Sequence, residues 1–237
     1  MITQIKQTLQ YYYSYSKKPI LIFWLSYFSF LLLSLLLSLN DNITFQFYGI
    51  TSIISIIFLI FYSFLTFKNV FPFVIKLGVS RKAFMLSTYI YGLVLSTLLV
   101  LINYIYLYLF NFLADLFSIE GFLFIGMNMP EYIEEIFGNV YLFDWLLHVS
   151  LFLLFTFIGA FFYRFGTTYG FLLIGVYVLS LFIRTIALKF VEIFNHLLVF
   201  DESYKPSIYL IVIAVCLVLN WFVVHRASTL DQITKQN

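Results

Sequence analysis

The chain has 237 residues, 63% hydrophobic and 10% charged, with a mean hydropathy of +1.01. A soluble domain carries about 25% charged residues, so the polar surface needed to coat a water-facing globule is missing and a soluble enzyme is excluded. The formal net charge is only +2, and the single cysteine, Cys216, lies in an apolar run where it reads as a small apolar residue and cannot close an intrachain disulfide.

The first apolar run ends SLLLSLNDN, with no small-residue cleavage site, and it exceeds the length of a signal-peptide core; no removable leader is expected. Residue usage is rich in Phe, Tyr, Ile, Leu and Asn and poor in Ala, Gly and Pro. That is the usage of an AT-rich genome and points to a low-GC bacterium.

Residues 1–18 place Ile2, Ile5, Leu9, Tyr12 and Tyr13 on one helical face and Thr3, Lys6, Gln7 and Gln10 on the other. The pattern predicts an amphipathic helix in the membrane interface, ending near Pro19. Six uncharged runs follow, at 19–40, 42–67, 83–114, 145–163, 165–183 and 206–225. About 20 apolar residues span a hydrocarbon core of about 30 Å. Backbone groups in lipid must be paired, which leaves helices or closed barrels. Stretches such as LLLSLLLSL lack the alternation of barrel strands.

The expected fold is therefore an all-α polytopic membrane protein, one transmembrane domain over 1–237. Its spans are expected at about 19–40, 46–67, 83–113, 145–163, 167–187 and 206–225. The loop 68–82 would lie on one side, and the loops 114–144 and 188–205 on the other. The third run of 32 residues would reach about 48 Å as a helix, so it tilts or projects past the bilayer. Residues 121–130, GFLFIGMNMP, are too short to span and read as an interfacial or re-entrant piece.

With the N-terminus inside, Lys6, Lys17, Lys18, Lys68, Lys76, Arg81, Lys82, Arg164, Arg226 and Lys235 are cytoplasmic, against Arg184, Lys189 and Lys205 outside. This ten-to-three bias sets both termini in the cytoplasm of a multi-pass cell-membrane protein. Only Asp231 among the acidic residues is then inside. The loop 114–144 holds six acidic residues and no basic one. It is either a solvated face or a vestibule that attracts cations. Its MPEYIEEIFGNVY segment can form a short amphipathic helix, and KFVEIFNHLLVFDESYKP (189–206) a second external one.

No catalytic motif is found. There is no phosphate-binding G-x-x-x-x-G-K-S/T, no G-x-S-x-G, no H-E-x-x-H and no Cys/His cluster. Neither catalysis, a metal nor a nucleic-acid partner is expected of this chain. Glu134-Glu135 resembles part of a membrane-protease motif, but Asn139 stands where that motif needs arginine. Asp144 and His148, four apart on one helix face, can relay a proton, bind a cation or simply end a helix in water. No ionisable residue is expected at a bilayer midplane, which argues against a proton- or sodium-coupled carrier.

Tyr89, Gly92, Ser96, Asn103 and Tyr106 form a stripe on the third span. It either lines a translocation path or binds helix to helix. Ser34 and Ser38 on the first span, and the G-x-x-x-G pair Gly166 and Gly170 on the fifth, are candidate close-packing positions. The 22% aromatic content would line any central cavity with rings, which suits amphipathic or lipid-like cargo.

The segment KLGVSRKAF (76–84) resembles a string found between the second and third spans of ABC-2 type transporter permeases of Gram-positive bacteria. That string runs glycine, valine or threonine, serine or threonine, Arg-Lys, any residue, aromatic. The size, six spans and inward termini are similar too. The resemblance implies that Lys76, Gly78, Val79, Ser80, Arg81, Lys82 and Phe84 couple to a separate ATPase. Residues 71–77 would be the coupling helix, and the N-terminal segment a connecting helix. It implies a second permease subunit, met through the first and fifth spans, with ATP and magnesium held only by the partner ATPase. Within the family, the small size and acidic outer loops look most like exporters of amphipathic or antimicrobial peptides, such as phenol-soluble modulins. The alternatives carried forward are an intramembrane or lipid-modifying enzyme using Asp144 and His148, and a non-transporting membrane scaffold.

Overall fold

The computed structural model describes residues 1–40, 43–48, 50–125, 140–198 and 207–227. Among them, seven helices and two short strands succeed one another. They are α1 Ile2–Leu37, β1 Phe45–Tyr48, α2 Ile50–Lys76, α3 Arg81–Leu116, β2 Phe122–Ile125, α4 Val140–Phe165, α5 Thr167–Ser180, α6 Arg184–Leu198 and α7 Ser207–His225. Five of them, α1, α2, α3, α4 and α7, are long and apolar enough to cross a membrane. The chain is a helical membrane protein.

Helix α4 is the hub. Of its apolar window 56% is buried inside the chain, against 28% for α1 and for α7, and it packs on α2, α3 and α7. Gly159 lets α2 approach: a Cβ there would stand 2.7 Å from the Phe64 carbonyl oxygen. Outer faces carry exposed Leu25, Leu36, Phe61, Leu101 and Val218, as lipid-facing helices do.

Four expectations change. Pro19 does not end the first helix; it lies inside α1, which runs unbroken for 36 residues. Packing on both sides of the proline holds the line. Tyr12 stacks on Tyr91 at 4.5 Å, and Phe23 stacks on Phe58 at 4.3 Å. Residues 71–77 do not form a separate coupling helix either. They are the end of α2 and the first residue of a turn, with Pro72 accommodated inside the helix.

The fifth span is the third change. Helix α5 has 14 residues, about 21 Å, and stops at Ser180. There the Ser180 hydroxyl donates to the Tyr177 carbonyl (2.6 Å), an alternative to the helical ladder. Residues 181–183 turn into amphipathic α6. That helix begins five residues before the external helix read from the sequence at 189–206, whose residues 199–206 lie outside the described residues.

Fourth, the loops carry a parallel strand pair, β1 with β2, in register Phe45 to Phe122 through Tyr48 to Ile125. Phe47 meets Phe122 and Phe124 edge-on, and Asn111 of α3 donates to the Phe124 carbonyl (2.7 Å). Of the segment 121–130, residues 126–130 lie outside the described residues, as do Glu131, Glu134, Glu135 and most of the MPEYIEEIFGNVY segment.

Four chain positions meet at the opposite end of the bundle. Gln4 of α1 touches the α2–α3 turn, Arg81 of α3 reaches the last turn of α7, and Arg164 at the end of α4 reaches the same turn.

Candidate functional site

The basic turn is built to be stiff. Helix α2 ends at Lys76 and α3 starts at Arg81, so four residues reverse the chain. Gly78 takes φ +85, a left-handed conformation that costs other residues about 1–2 kcal/mol. Around it the amide of Gly78 donates to the Ile75 carbonyl (3.0 Å) and that of Val79 to the Val74 carbonyl (3.3 Å). This is the Schellman closure, with the apolar contact that accompanies it supplied by buried Val79 and Val74. Ser80 then caps α3, its hydroxyl accepting from the Ala83 amide (3.3 Å).

The amino-terminal helix braces this turn. The Gln4 amide donates to the Gly78 carbonyl (3.2 Å), and Ser80 donates to the Gln4 side-chain oxygen (3.1 Å). Below them Tyr12 and Thr88 share a buried hydrogen bond of 2.8 Å. Phe84, fully buried, meets Phe71 edge-on at 5.1 Å, and Phe71 meets Tyr163 of α4 at 5.3 Å. Phe84 is thus a plug under the turn. Lys68, Lys76 and Lys82 are exposed above it. A groove of about 570 Å³ opens beside the turn, lined by Gln7, Gln10, Tyr11, Ser14, Leu77 and Val79.

Arg81 has another occupation. Its guanidinium donates to the His225 carbonyl, while Arg164 donates to the carbonyls of Phe222 (3.2 Å) and Val223 (3.3 Å). The last carbonyls of a helix have no partner within it and carry its negative end. Two arginines therefore cap α7 at one turn.

The α3 stripe is engaged in helix contacts. Tyr89 donates to the Leu217 carbonyl of α7 (2.9 Å) and Tyr106 to the Trp24 carbonyl of α1 (3.1 Å). Gly92 takes the ring of Phe152 from α4, so close that a Cβ would lie 2.3 Å from it. Ser96 and Asn103 are buried. Ser34 and Ser38 are buried too, each hydroxyl donating back to its own helix. Gly166 starts α5, and Gly170 is packed under Phe162 of α4. The rings expected to wall a cavity largely stack on one another within the bundle.

Asp144 and His148 do not sit at a solvated helix end. They are 1% and 0% exposed, and belong to a network of five buried side chains from three helices. Ser52 donates to Asp144 Oδ2 (3.1 Å). Ser55 Oγ lies 2.8 Å from His148 Nε2, and the Asn103 amide donates to Ser55 (2.9 Å). His148 Nδ1 is 2.7 Å from the Asp144 carbonyl and 3.2 Å from its carboxylate Oδ1. Asp144 Oδ1 and Asn103 Oδ1 accept no hydrogen bond.

No protein-family model, curated protein or solved structure matches the chain.

Sequence reading singled out Asp144, His148 and Asn103 but missed Ser52, Ser55 and Gln4. The two serines, three apart in the first turns of α2, were a legible signal: a polar pair on one face of an apolar run. Gln4 carried none, because a surface glutamine is ordinary.

Proposed function

We propose that the chain is the membrane-embedded subunit of an ATP-driven exporter, moved by separate ATPase subunits that bear on the α2–α3 turn. The observation that carries this is the turn itself: four residues, closed at both helix ends, clasped by Gln4 and crowned by exposed Lys76 and Lys82. A push on such a turn moves α2 and α3 as one body instead of bending a loop. It also passes through Gln4 to α1 and through Arg81 to α7. The exposed lysines and the adjacent groove give an acidic and apolar partner surface something to grip.

A six-crossing arrangement with both termini cytoplasmic is supported by connectivity. The start of α1, the α2–α3 turn and the ends of α4 and α7 share contacts at one end. The chain between Phe165 and Ser207 must then return to the other end before α7 can begin, and α5 is the apolar helix available for that passage. Lys6, Lys76, Arg81, Lys82, Arg164 and Arg226 cluster where the contacts meet, the placement expected of a cytoplasmic face.

A second permease subunit would dock on exposed faces, since Ser34, Ser38 and Gly170 are consumed within the chain. Leu25, Leu32 and Leu36 of α1 and Leu172, Val176 and Leu179 of α5 are such faces. The cargo class proposed is an amphipathic peptide. Extraction of the tagged full chain from its source membrane tests the proposal. Capture of a P-loop ATPase, lost when Lys76 and Lys82 are both changed to Glu, supports it; absence of any ATPase from the wild-type preparation overturns it.

A second reading is an intramembrane hydrolase, favoured by one geometry: Ser55, His148 and Asp144 are linked in the order of a nucleophile, a base and an orienting carboxylate. Ser55 is fully buried and already accepts from Asn103. Labelling by a serine-reactive fluorophosphonate that disappears in Ser55→Ala would establish this reading, and an unlabelled wild type would remove it.

A further inference from the structure

We infer that Asp144 and His148 form a binding site for one exchangeable proton, and that its occupancy holds α4 against α2 and α3. The inference is independent of the exporter reading. Ser52, Ser55 and Asn103 are neutral at any ordinary pH, so the pair alone sets the charge of the network. Among the described residues, the other titratable groups nearby are phenols. Tyr104 of α3 lies within electrostatic reach of Asp144, Tyr141 lies one turn back on α4, and Tyr209 of α7 meets Phe143 edge-on at 5.8 Å. No lysine or arginine among the described residues bonds to the network.

One shared proton makes the pair neutral overall, either as carboxylate and imidazolium or as carboxylic acid and imidazole. The geometry accommodates both. As an ion pair, Asp144 Oδ1 faces the Nδ1–H of the ring at 3.2 Å, and as a carboxylic acid Asp144 carries the proton on Oδ2, 3.1 Å from the Ser52 hydroxyl. With the proton on the ring, Nε2 donates to Ser55, whose own hydroxyl turns to the Ser52 carbonyl at 2.9 Å. With the ring neutral, its one hydrogen stays on Nδ1 and is donated to the Asp144 carbonyl at 2.7 Å, Ser55 donates to Nε2, and the acid proton on Oδ2 is donated to Ser52. The network is thus rewired without moving a heavy atom.

Any other occupancy leaves a net charge. Loss of the proton strands a carboxylate, and gain of a second strands an imidazolium. A buried unpaired charge is strongly unfavourable unless water reaches it. Water reaches this pair by separation of α4 from α2 and α3. Ser55 stands 21 residues before Lys76 along α2, about 32 Å away, so this link acts at the end remote from the basic turn.

Trp145 reports the separation. Its indole donates to Thr97 of α3 at 2.9 Å. In the full chain, reconstituted in lipid nanodiscs with Trp24→Phe and Trp221→Phe, its emission is titrated from about pH 5 to 9, the range where imidazoles change charge. The expected result is a reversible one-proton step, absent in both Asp144→Asn and His148→Gln. No step in the parent protein, or a step that survives both changes, overturns the inference. Should either variant fail to fold, nitrogen-15 histidine spectra of the chain with His196→Gln and His225→Gln decide instead. A His148 ring that switches between neutral and charged forms in one step supports the site; a ring that stays unchanged overturns it.

Discussion

The guanidinium of Arg81 donates to the backbone carbonyl of His225, 144 residues further along the chain. The first residue of α3 and the last of α7 are therefore joined at the basic turn, with Arg164 on the neighbouring carbonyls. Hydrogen bonds to charged groups contribute about 1.5–3 kcal/mol. Arg81→Ala should destabilise the bundle by about that amount, read as a loss of thermal stability in detergent. Arg81→Glu should be worse, because an anion at a helix carboxyl end is repelled. In Arg81→Ala/Arg164→Ala, amide exchange at the end of α7 should accelerate before exchange in α4.

Gly78 and Gly92 test two different roles of glycine. Nothing lies within 4 Å of a Cβ at Gly78, so Gly78→Ala costs only the left-handed backbone, about 1–2 kcal/mol. Gly78→Asn should cost less, since asparagine tolerates that conformation. At Gly92 the backbone is helical and the obstacle is the Phe152 ring at 2.3 Å. Gly92→Ala should destabilise by about 1–3 kcal/mol, and Phe152→Leu should restore part of it. No such rescue is expected for Gly78→Ala. Chemical denaturation of these variants, with and without Phe152→Leu, beside the parent protein checks both statements.

Ser55 is the node of the buried network. Its hydroxyl contacts both the Asn103 amide and His148 Nε2. Ser55→Ala leaves two buried polar groups without partners, a cost of about 1–3 kcal/mol for each group left unsatisfied. Ser52→Ala removes a single donor to Asp144 Oδ2 and should cost less. Thermal unfolding of the two variants in one detergent ranks them.

Membrane character was legible in the sequence, because 63% hydrophobic residues in long uncharged runs leave few folds open. Helix ends inside those runs were not. Proline marks a helix end in water, yet aromatic stacking on both sides carries α1 through Pro19. The length of α5 was hidden because residues 165–183 hold no charge, although the helix stops at Ser180. The two strands were invisible because a Phe-rich segment pairs through its backbone, which composition does not record. At the sites, Gly78 and Ser80 were readable as turn and cap residues. The carbonyls that Arg81 and Arg164 seek come from α7, and no local pattern announces a contact between residues more than fifty positions apart. Asp144 and His148 were readable as neighbours on one face, but their burial depends on serines of α2 that only the fold brings to them.

The central claim is that a soluble ATPase drives this bundle through the α2–α3 turn. Photo-crosslinking in intact cells from a benzoylphenylalanine placed at Lys82 tests it most directly. The account predicts an adduct with a P-loop ATPase, lost when the same probe replaces Leu101 on the lipid-facing side of α3. Adducts with lipid alone from position 82, or reaction there with a membrane-impermeant external reagent, would contradict it.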